Sequence, residues 1–101
     1  MPSDVVEVRS ARIRFRTPEE GGRLTAPASG VRSQIELGEF QTSCIVDSSA
    51  GFEILPLGEE VEVRIRVLFA EHVGAAFSRA AAVELFEGAK LVATGRFLDE
   101  P

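Results

Sequence analysis

One stretch decides the fold class: Val61-Glu62-Val63-Arg64-Ile65-Arg66-Val67-Leu68-Phe69. Its odd positions are apolar, and charged residues occupy the even positions from 62 to 66. This period of two is typical of a β-strand that buries one face and exposes the other. It predicts a half-buried strand of about nine residues, roughly 30 Å long. The strand begins after the turn Pro56-Leu57-Gly58-Glu59, whose glycine suits a tight change of direction.

The segment from Ala11 to Arg16 alternates in the same way, with its apolar residues facing in and its arginines facing out. The preceding pair, Val6 and Val8, has the opposite parity. A change of parity within one strand turns the buried face outward. The sequence therefore predicts a bulge or bend near Arg9-Ser10, or a separate lead-in segment.

Shorter alternating segments with turn residues between them predict the remaining strands. They cover residues 31–37, 41–46, 81–85 and 91–97, and a hairpin turn at Glu87-Gly88-Ala89-Lys90 joins the last two. Strands at this short, regular spacing indicate an antiparallel sandwich or barrel. An interior ligand cavity is not expected in a barrel of about six strands, because side chains already fill the wider eight-stranded kind.

Two segments do not alternate. Phe52, Ile54 and Leu55 are expected to pack against the core just before the Pro56 turn. The stretch from Ala70 to Ala82 is rich in alanine and carries glycine and serine, which do not favour a strand. We expect a loop there with one helical turn.

Composition indicates a single globular domain. The chain has 101 residues, of which 45% are hydrophobic and 27% are charged, and it contains no Trp and no Tyr. A lone cysteine, Cys44, cannot form an internal disulfide, and no apolar run is long enough for a membrane span. The residues from Met1 to Asp4 do not have the pattern of a signal peptide. We therefore expect a cytoplasmic protein that does not associate with membranes.

The charge is unevenly distributed. The formal net charge is −5, whereas nucleic-acid-binding domains usually carry a positive charge. Residues 1–32 contain six arginines and four acids, a net of +2, and residues 33–101 contain five basic and twelve acidic residues, a net of −7. The acidic net charge of the chain is thus compatible with a local basic patch.

Four motifs in a fixed order resemble one family. They are the strand and turn from Arg12 to Arg23, with its Glu-Glu-Gly-Gly-Arg, then Gly30-Val31-Arg32-Ser33-Gln34, Pro56-Leu57-Gly58-Glu59 and the hairpin from Glu87 to Gly95. Together they are similar to the C-terminal, third domain of the translation elongation factor Tu family. The resemblance implies an all-β fold, a six-stranded antiparallel Greek-key β-barrel, over residues 9–98. Residues 1–8 would form a lead-in, and residues 99–101 a tail.

Several departures from the family put its usual role in doubt. The chain has no GTPase domain and no Gly-rich loop with Lys-Ser/Thr, so GTP binding is not expected. Glu84 stands where the family has a small apolar residue on the face that abuts the GTPase, and an unpaired buried charge there would be costly. The stretch from Ala70 to Ala82 is also longer than its counterpart. A barrel that no longer docks on a GTPase in the family's way is the expectation.

Two hypotheses for a non-enzymatic binding module follow. The first is a protein-interaction module with an unknown partner or a second copy of the chain, in which an exposed apolar loop carrying Val73, Phe77 and Arg79 makes the contact. The alternative is an RNA- or tRNA-binding module. The resemblance places Gln34, Ser43 and Gly88 at the family's contacts with the T stem of aminoacyl-tRNA.

The row Arg12, Arg14 and Arg16 supports the RNA hypothesis from the residues themselves. Alternate residues on one strand face lie about 6.8 Å apart, which is close to the phosphate spacing along one nucleic-acid strand. Arg64 and Arg66 could extend this patch. The other interpretation is cross-strand ion pairing with acids such as Glu62 or Glu84 on neighbouring strands.

The sequence predicts no catalytic site, no metal site and no cofactor. His72 is the only histidine, and no set of ligands or triad partners accompanies it. Cys44 lies in a predicted strand without an adjacent basic residue, which fits a small core residue better than a reactive thiol. Glu19-Glu20 and Glu59-Glu60 belong to turns, and we interpret them as solvated acids.

Overall fold

A computed structural model describes residues 7–38 and 40–98 of the chain. Within this part, six strands pair into a closed, entirely antiparallel barrel in the order β1-β4-β3-β2-β5-β6. The strands are β1 Val8–Phe15, β2 Val31–Glu36, β3 Gln41–Ser48, β4 Glu60–Val67, β5 Ala82–Glu87 and β6 Lys90–Phe97. The predicted all-β, six-stranded antiparallel barrel is confirmed. The Greek-key connectivity stays a prediction, and residues 1–6 of the predicted lead-in and the tail 99–101 lie outside the described residues.

The barrel is filled by side chains that alternate along the strands. In β4 every second residue is buried, from Val61 to Val67, as the alternation predicted. The largest fully buried side chains include Phe15, Phe77 and Ile13, so aromatic and aliphatic groups occupy the interior. Strands β1 and β6 come so close that a Cβ at Gly95 would lie 2.1 Å from the carbonyl oxygen of Arg12, which explains the glycine.

The ladders between strands differ in length. Strands β1 and β4 form seven residue pairs, from Val8 opposite Arg66 to Arg14 opposite Glu60. Strands β2 and β5 form two pairs, Gln34 with Phe86 and Ile35 with Leu85. This ladder is the shortest of the barrel within the described residues, and a groove opens on each side of it.

The predicted bulge near Arg9-Ser10 is wrong, because β1 pairs with β4 in continuous register from Val8 onward. The parity is kept by placing Arg9 inside, where its side chain is 3% exposed, while Val8 faces solvent. Val6 lies outside the described residues. A hydrophobicity pattern assigns a charged residue to the exposed face, so it misjudged this position.

The predicted loop at 70–82 is also wrong, since residues Ala70–Arg79 form a ten-residue α-helix, α1. Val73 and Phe77, one turn apart, are buried and belong to the same hydrophobic core as the strands. The guanidinium of Arg9 donates from Nη1 to the carbonyl oxygens of Phe77 at 2.5 Å and Ala80 at 2.7 Å. These carbonyls lie at the C-terminal end of the helix, Phe77 in its last turn and Ala80 at its C-cap, where backbone acceptors lack the partners that they have in the helix interior.

Arg9 also packs against aromatic rings. Its guanidinium carbon lies 3.8 Å from the centroid of the Phe97 ring, and Phe77 meets Phe97 edge to face at 5.4 Å. Cation–π contact and hydrogen bonds to carbonyls together allow a charge to be buried here. Tertiary contacts thus add to the helix propensity of a segment in which Ala70, Ala75 and Ala76 favour a helix and Gly74 disfavours it.

The expected positions of three side chains, Phe69, Phe52 and Ile54, need correction. Phe69 does not continue β4; it lies in the left-handed region with φ 59° at the start of α1, and its side chain is exposed. Phe52 and Ile54 are each 55% exposed, and only Leu55 of that segment joins the core.

Candidate functional site

The arginine row on β1 is largely occupied by contacts within the protein. Arg12 lies 2.6 Å from a carboxylate oxygen of Glu62 on β4, and the hydrogen bond to Glu62 raises the pKa of Arg12 above its ordinary value. The predicted cross-strand ion pairing with Glu62 is confirmed. The pair is largely exposed, so its contribution to stability is small.

Arg14 and Arg16 are held by the turn that follows β1. Arg14 lies 2.9 Å from Glu20. The hydrogen bond from Arg14, together with one from the backbone of Thr17, lowers the pKa of Glu20 to about 2. Arg16 donates to the carbonyl oxygens of Glu20 and Leu91. This part of the predicted basic patch is therefore committed to shaping the turn.

Arg64 and Arg66 face a different environment. Both are exposed on β4, and within residues 7–38 and 40–98 no carboxylate lies within 4.0 Å of either. The register aligns Arg66 with Ile45 of β3, and Ile45 with Arg32 of β2. A spacing of about 4.8 Å between neighbouring strands puts Arg32 and Arg66 about 10 Å apart on the same outer face.

Arg32 was not among the predicted site residues. Its parity is that of Gln34, two positions along β2, which signals that the two share a face. Its proximity to Arg66 depends on β3 lying between the two strands, and no local pattern reveals that arrangement.

The three residues named from the resemblance come together in the structure. Gln34 Nε2 donates to Ser43 Oγ at 3.0 Å across the β2–β3 ladder. Gln34 and Gly88 line the same groove, here called the basic groove; its lining is Arg32, Ser33, Gln34, Phe86, Glu87 and Gly88. Gly88 has φ 62°, so the β5–β6 hairpin itself favours glycine at this position.

The charge at the basic groove is positive despite the acidity of the whole chain. Glu87 is ion-paired with Arg23, so its charge is compensated. Glu36, Glu60 and Glu62 lie further along the outer faces of β2 and β4. Nearer to the groove, the outer face carries Arg32 and Arg66, which flank Ile45 in one cross-strand row, and Arg64, which lies opposite Asp47 in the next row. We call the basic groove and this outer face together the basic face.

Val73, Phe77 and Arg79 do not form the predicted apolar contact loop. Val73 and Phe77 lie on the buried face of α1, where they hold the helix on the barrel. Arg79 is exposed and lies beside a second groove, on the other side of the short β2–β5 ladder. Burial removes the apolar surface on which that hypothesis rested.

The groups considered for catalysis are set apart from one another. His72 lies on the exposed side of α1, 4.0 Å from Glu71. Cys44 is buried, and burial raises the pKa of its thiol to about 12, which disfavours the reactive thiolate. Within the described part of the chain, no group of three or more His, Cys, Asp or Glu side chains could hold a metal ion.

A search against protein-family models finds no match to this sequence, and a search of curated proteins finds none. The likeness to the elongation factor Tu barrel therefore stays a prediction from its motifs. A separate finding concerns membranes: no helix among the described residues is both long and apolar enough to cross a bilayer.

Proposed function

We propose that this chain is a non-enzymatic module that binds the sugar–phosphate backbone of folded RNA on its basic face. The proposal rests on the observation that two sets of polar and basic residues lie on one surface. Gln34, Ser43 and Gly88, chosen by resemblance, lie beside Arg32 and Arg66, which the barrel register brings onto the same surface.

The spacing of the basic groups suits phosphate contacts. Arg64 and Arg66, two residues apart on one strand, are separated by about 6.8 Å, and Arg32 lies about 10 Å from Arg66 across two strands. Guanidinium groups bind phosphate oxygens with two parallel hydrogen bonds. Three such groups at these distances can contact neighbouring phosphates.

The polar groups at the groove suit ribose. The Gln34 amide and the Ser43 hydroxyl each offer both a donor and an acceptor, and a ribose 2′-hydroxyl is likewise both. A glycine at position 88 lets the backbone of a ligand approach the hairpin closely. Contact with ribose would favour RNA over DNA.

Base stacking has one candidate on this face, the half-buried Phe86 of the groove lining. The chain has no Trp and no Tyr, and the strongly exposed phenylalanines Phe52 and Phe69 lie in connecting segments instead of on β2, β3 or β4. Recognition through backbone and shape, as for double-stranded RNA, is the mode that fits. The resemblance supports the same ligand class, since the family's contact is with a tRNA stem.

The test is a fluorescence-anisotropy titration of bulk tRNA at low salt and at about 0.2 M salt. The double variant Arg32→Ser/Arg66→Ser should weaken binding about ten-fold and reduce the salt slope by about 2, because two phosphate contacts are lost. The matched control Arg12→Ser/Arg14→Ser removes the same charge from ion-paired positions and should stay within about two-fold. Absence of binding at low salt, or equal weakening by both variants, rejects the proposal.

A further inference from the structure

The second groove beside the β2–β5 ladder differs in chemistry from the basic groove. It opens toward the helix end of the barrel, between β2, β5 and the C-terminal turn of α1. Its lining includes Glu36, Leu37, Ala76, Arg79, Ala82 and Glu84. We call it the acidic groove.

The acidic groove exists because two strands separate early. The register that pairs Gln34 with Phe86 and Ile35 with Leu85 would next place Glu36 opposite Glu84, but the ladder stops before that pair. Like charges directly opposite each other destabilise an antiparallel pair. Strand β5 nevertheless continues to pair on its other side, where Glu84 lies opposite Thr94 of β6.

The two carboxylates are available to a ligand. In residues 7–38 and 40–98, no Arg, Lys or His nitrogen lies within 4.0 Å of either Glu36 or Glu84. Gln41 donates one hydrogen bond to Glu36 at 3.2 Å. Arg79 is the one basic side chain on the lining, and it is on the helix side of the groove.

The walls are suited to an extended backbone. Small alanines, among them Ala76 and Ala82, line the helix side and the start of β5, so side chains leave the groove open. On the strand side, β2 and β5 face each other beyond their last shared pair. Strand edges of this kind accept a further strand through main-chain hydrogen bonds.

We propose that the acidic groove binds an extended segment of a partner protein that carries a lysine or arginine between Glu36 and Glu84. Charge complementarity selects the occupant: two carboxylates on the strand walls and one guanidinium on the helix line the groove, which leaves a net charge of about −1 on its lining. The proposal assigns the protein-interaction function to a surface other than the predicted loop. It is independent of RNA binding, which uses the opposite side of the β2–β5 ladder.

The test uses the full chain labelled with ¹⁵N and a synthetic peptide of eight residues with alternating valine and lysine. Amide shift changes should be concentrated at residues 36–38 and 82–84. Glu84→Lys should weaken binding about ten-fold, because it places a like charge against the peptide. The matched control Glu53→Lys makes the same change of charge in the exposed segment between β3 and β4 and should leave the affinity within about two-fold.

A third variant separates the shape of the groove from its charge. Ala82→Phe keeps the net charge and fits a strand position, and it should abolish the shift changes by filling the groove. Equal effects of Glu84→Lys and Glu53→Lys would show that the peptide only senses net charge and would overturn the proposal. Shift changes confined to other acidic surfaces, such as residues 59–62, would overturn it as well, and so would the absence of any shift change.

Discussion

The basic groove and the acidic groove flank the same two-pair ladder, yet they offer opposite charges. On one side, Arg32 lies next to Gln34 and the Gly88 hairpin. On the other side, Glu36 and Glu84 line a groove together with the end of α1. The difference shows how one short ladder in a small barrel can create two binding surfaces with different ligand classes.

The two grooves also differ in how their walls are held. The basic groove is built from strands and a hairpin alone. The acidic groove has a helical wall, which Arg9 fixes from inside the barrel through the carbonyls of Phe77 and Ala80. The interior contacts of Arg9 thus hold a wall of the acidic groove, and they do not contribute to the walls of the basic groove.

The largest effect on stability is expected from Arg9→Met, which keeps a long unbranched side chain but removes the guanidinium and both of its hydrogen bonds. Loss of these bonds and of the cation–π contact should lower the free energy of unfolding by about 2–4 kcal/mol. Urea unfolding measures this loss. Amide exchange should become faster throughout α1 while the residues of the basic groove change little, and tRNA binding should persist.

The matched control for that variant is Arg66→Met on the outer face. It removes the same charged group at a position where the side chain is exposed, so the free energy of unfolding should change by no more than about 0.5 kcal/mol. Equal destabilisation by the two variants would contradict the structural role given to Arg9.

A smaller effect is expected from Glu84→Thr, which tests why the ladder stops. Removing the like charge opposite Glu36 should let β2 and β5 pair further and raise the stability by about 0.5 kcal/mol. Hydrogen exchange would show it as added protection at residues 82–84. The analogous exposed variant Glu60→Thr should add none, and unchanged exchange in Glu84→Thr would disprove the charge explanation.

The smallest effect on binding is expected from Arg14→Ser, which alters neither groove. Both ligands should bind within about two-fold of the original affinity. The pKa of Glu20, held at about 2 chiefly by the hydrogen bond from Arg14, should rise toward its ordinary value of 4.5. An NMR titration of the Glu20 carboxyl measures this shift.

The ion pair between Arg14 and Glu20 also determines how the stability of the protein should change at acidic pH. Because the folded-state pKa of Glu20 lies below 4.5, its stabilising contribution is present above pH 4.5 and is lost as the pH falls toward 2. Arg14→Ser should reduce this acid sensitivity. The free energy of unfolding could instead fall by the same amount, over the same pH range, in Arg14→Ser and in the original protein. That result would show that other carboxyl groups cause the acid sensitivity.

Much of the fold could be predicted from local pattern. Alternation from Val61 to Val67 identified β4 and its buried face, and turn residues separated the other strands. Helix α1 was not predicted, although its alanines favour a helix and Val73 and Phe77 lie one turn apart. The contacts that hold it involve partners remote in sequence. Phe77 packs on Phe97, and Arg9 bonds a carbonyl 71 residues away.

The candidate site was only partly visible in the sequence. The resemblance named Gln34, Ser43 and Gly88, and the structure brings them to one surface. The predicted basic patch spans two strands, and sequence spacing could not distinguish its arginines with nearby acids on β1 from those without them on β4. Arg12 finds Glu62 across a strand pair, whereas Arg66 has Ile45 and Val8 as its cross-strand neighbours.

The sequence by itself determined the strands, their buried faces and the all-β class, because alternation records which side chains leave water. Only the tertiary structure decided the inward position of Arg9, the helix that it holds, and the early end of the β2–β5 ladder. It also decided that Arg32 and Arg66 share a face. These features depend on barrel closure and register, which join residues far apart in the chain through contacts that no local period encodes.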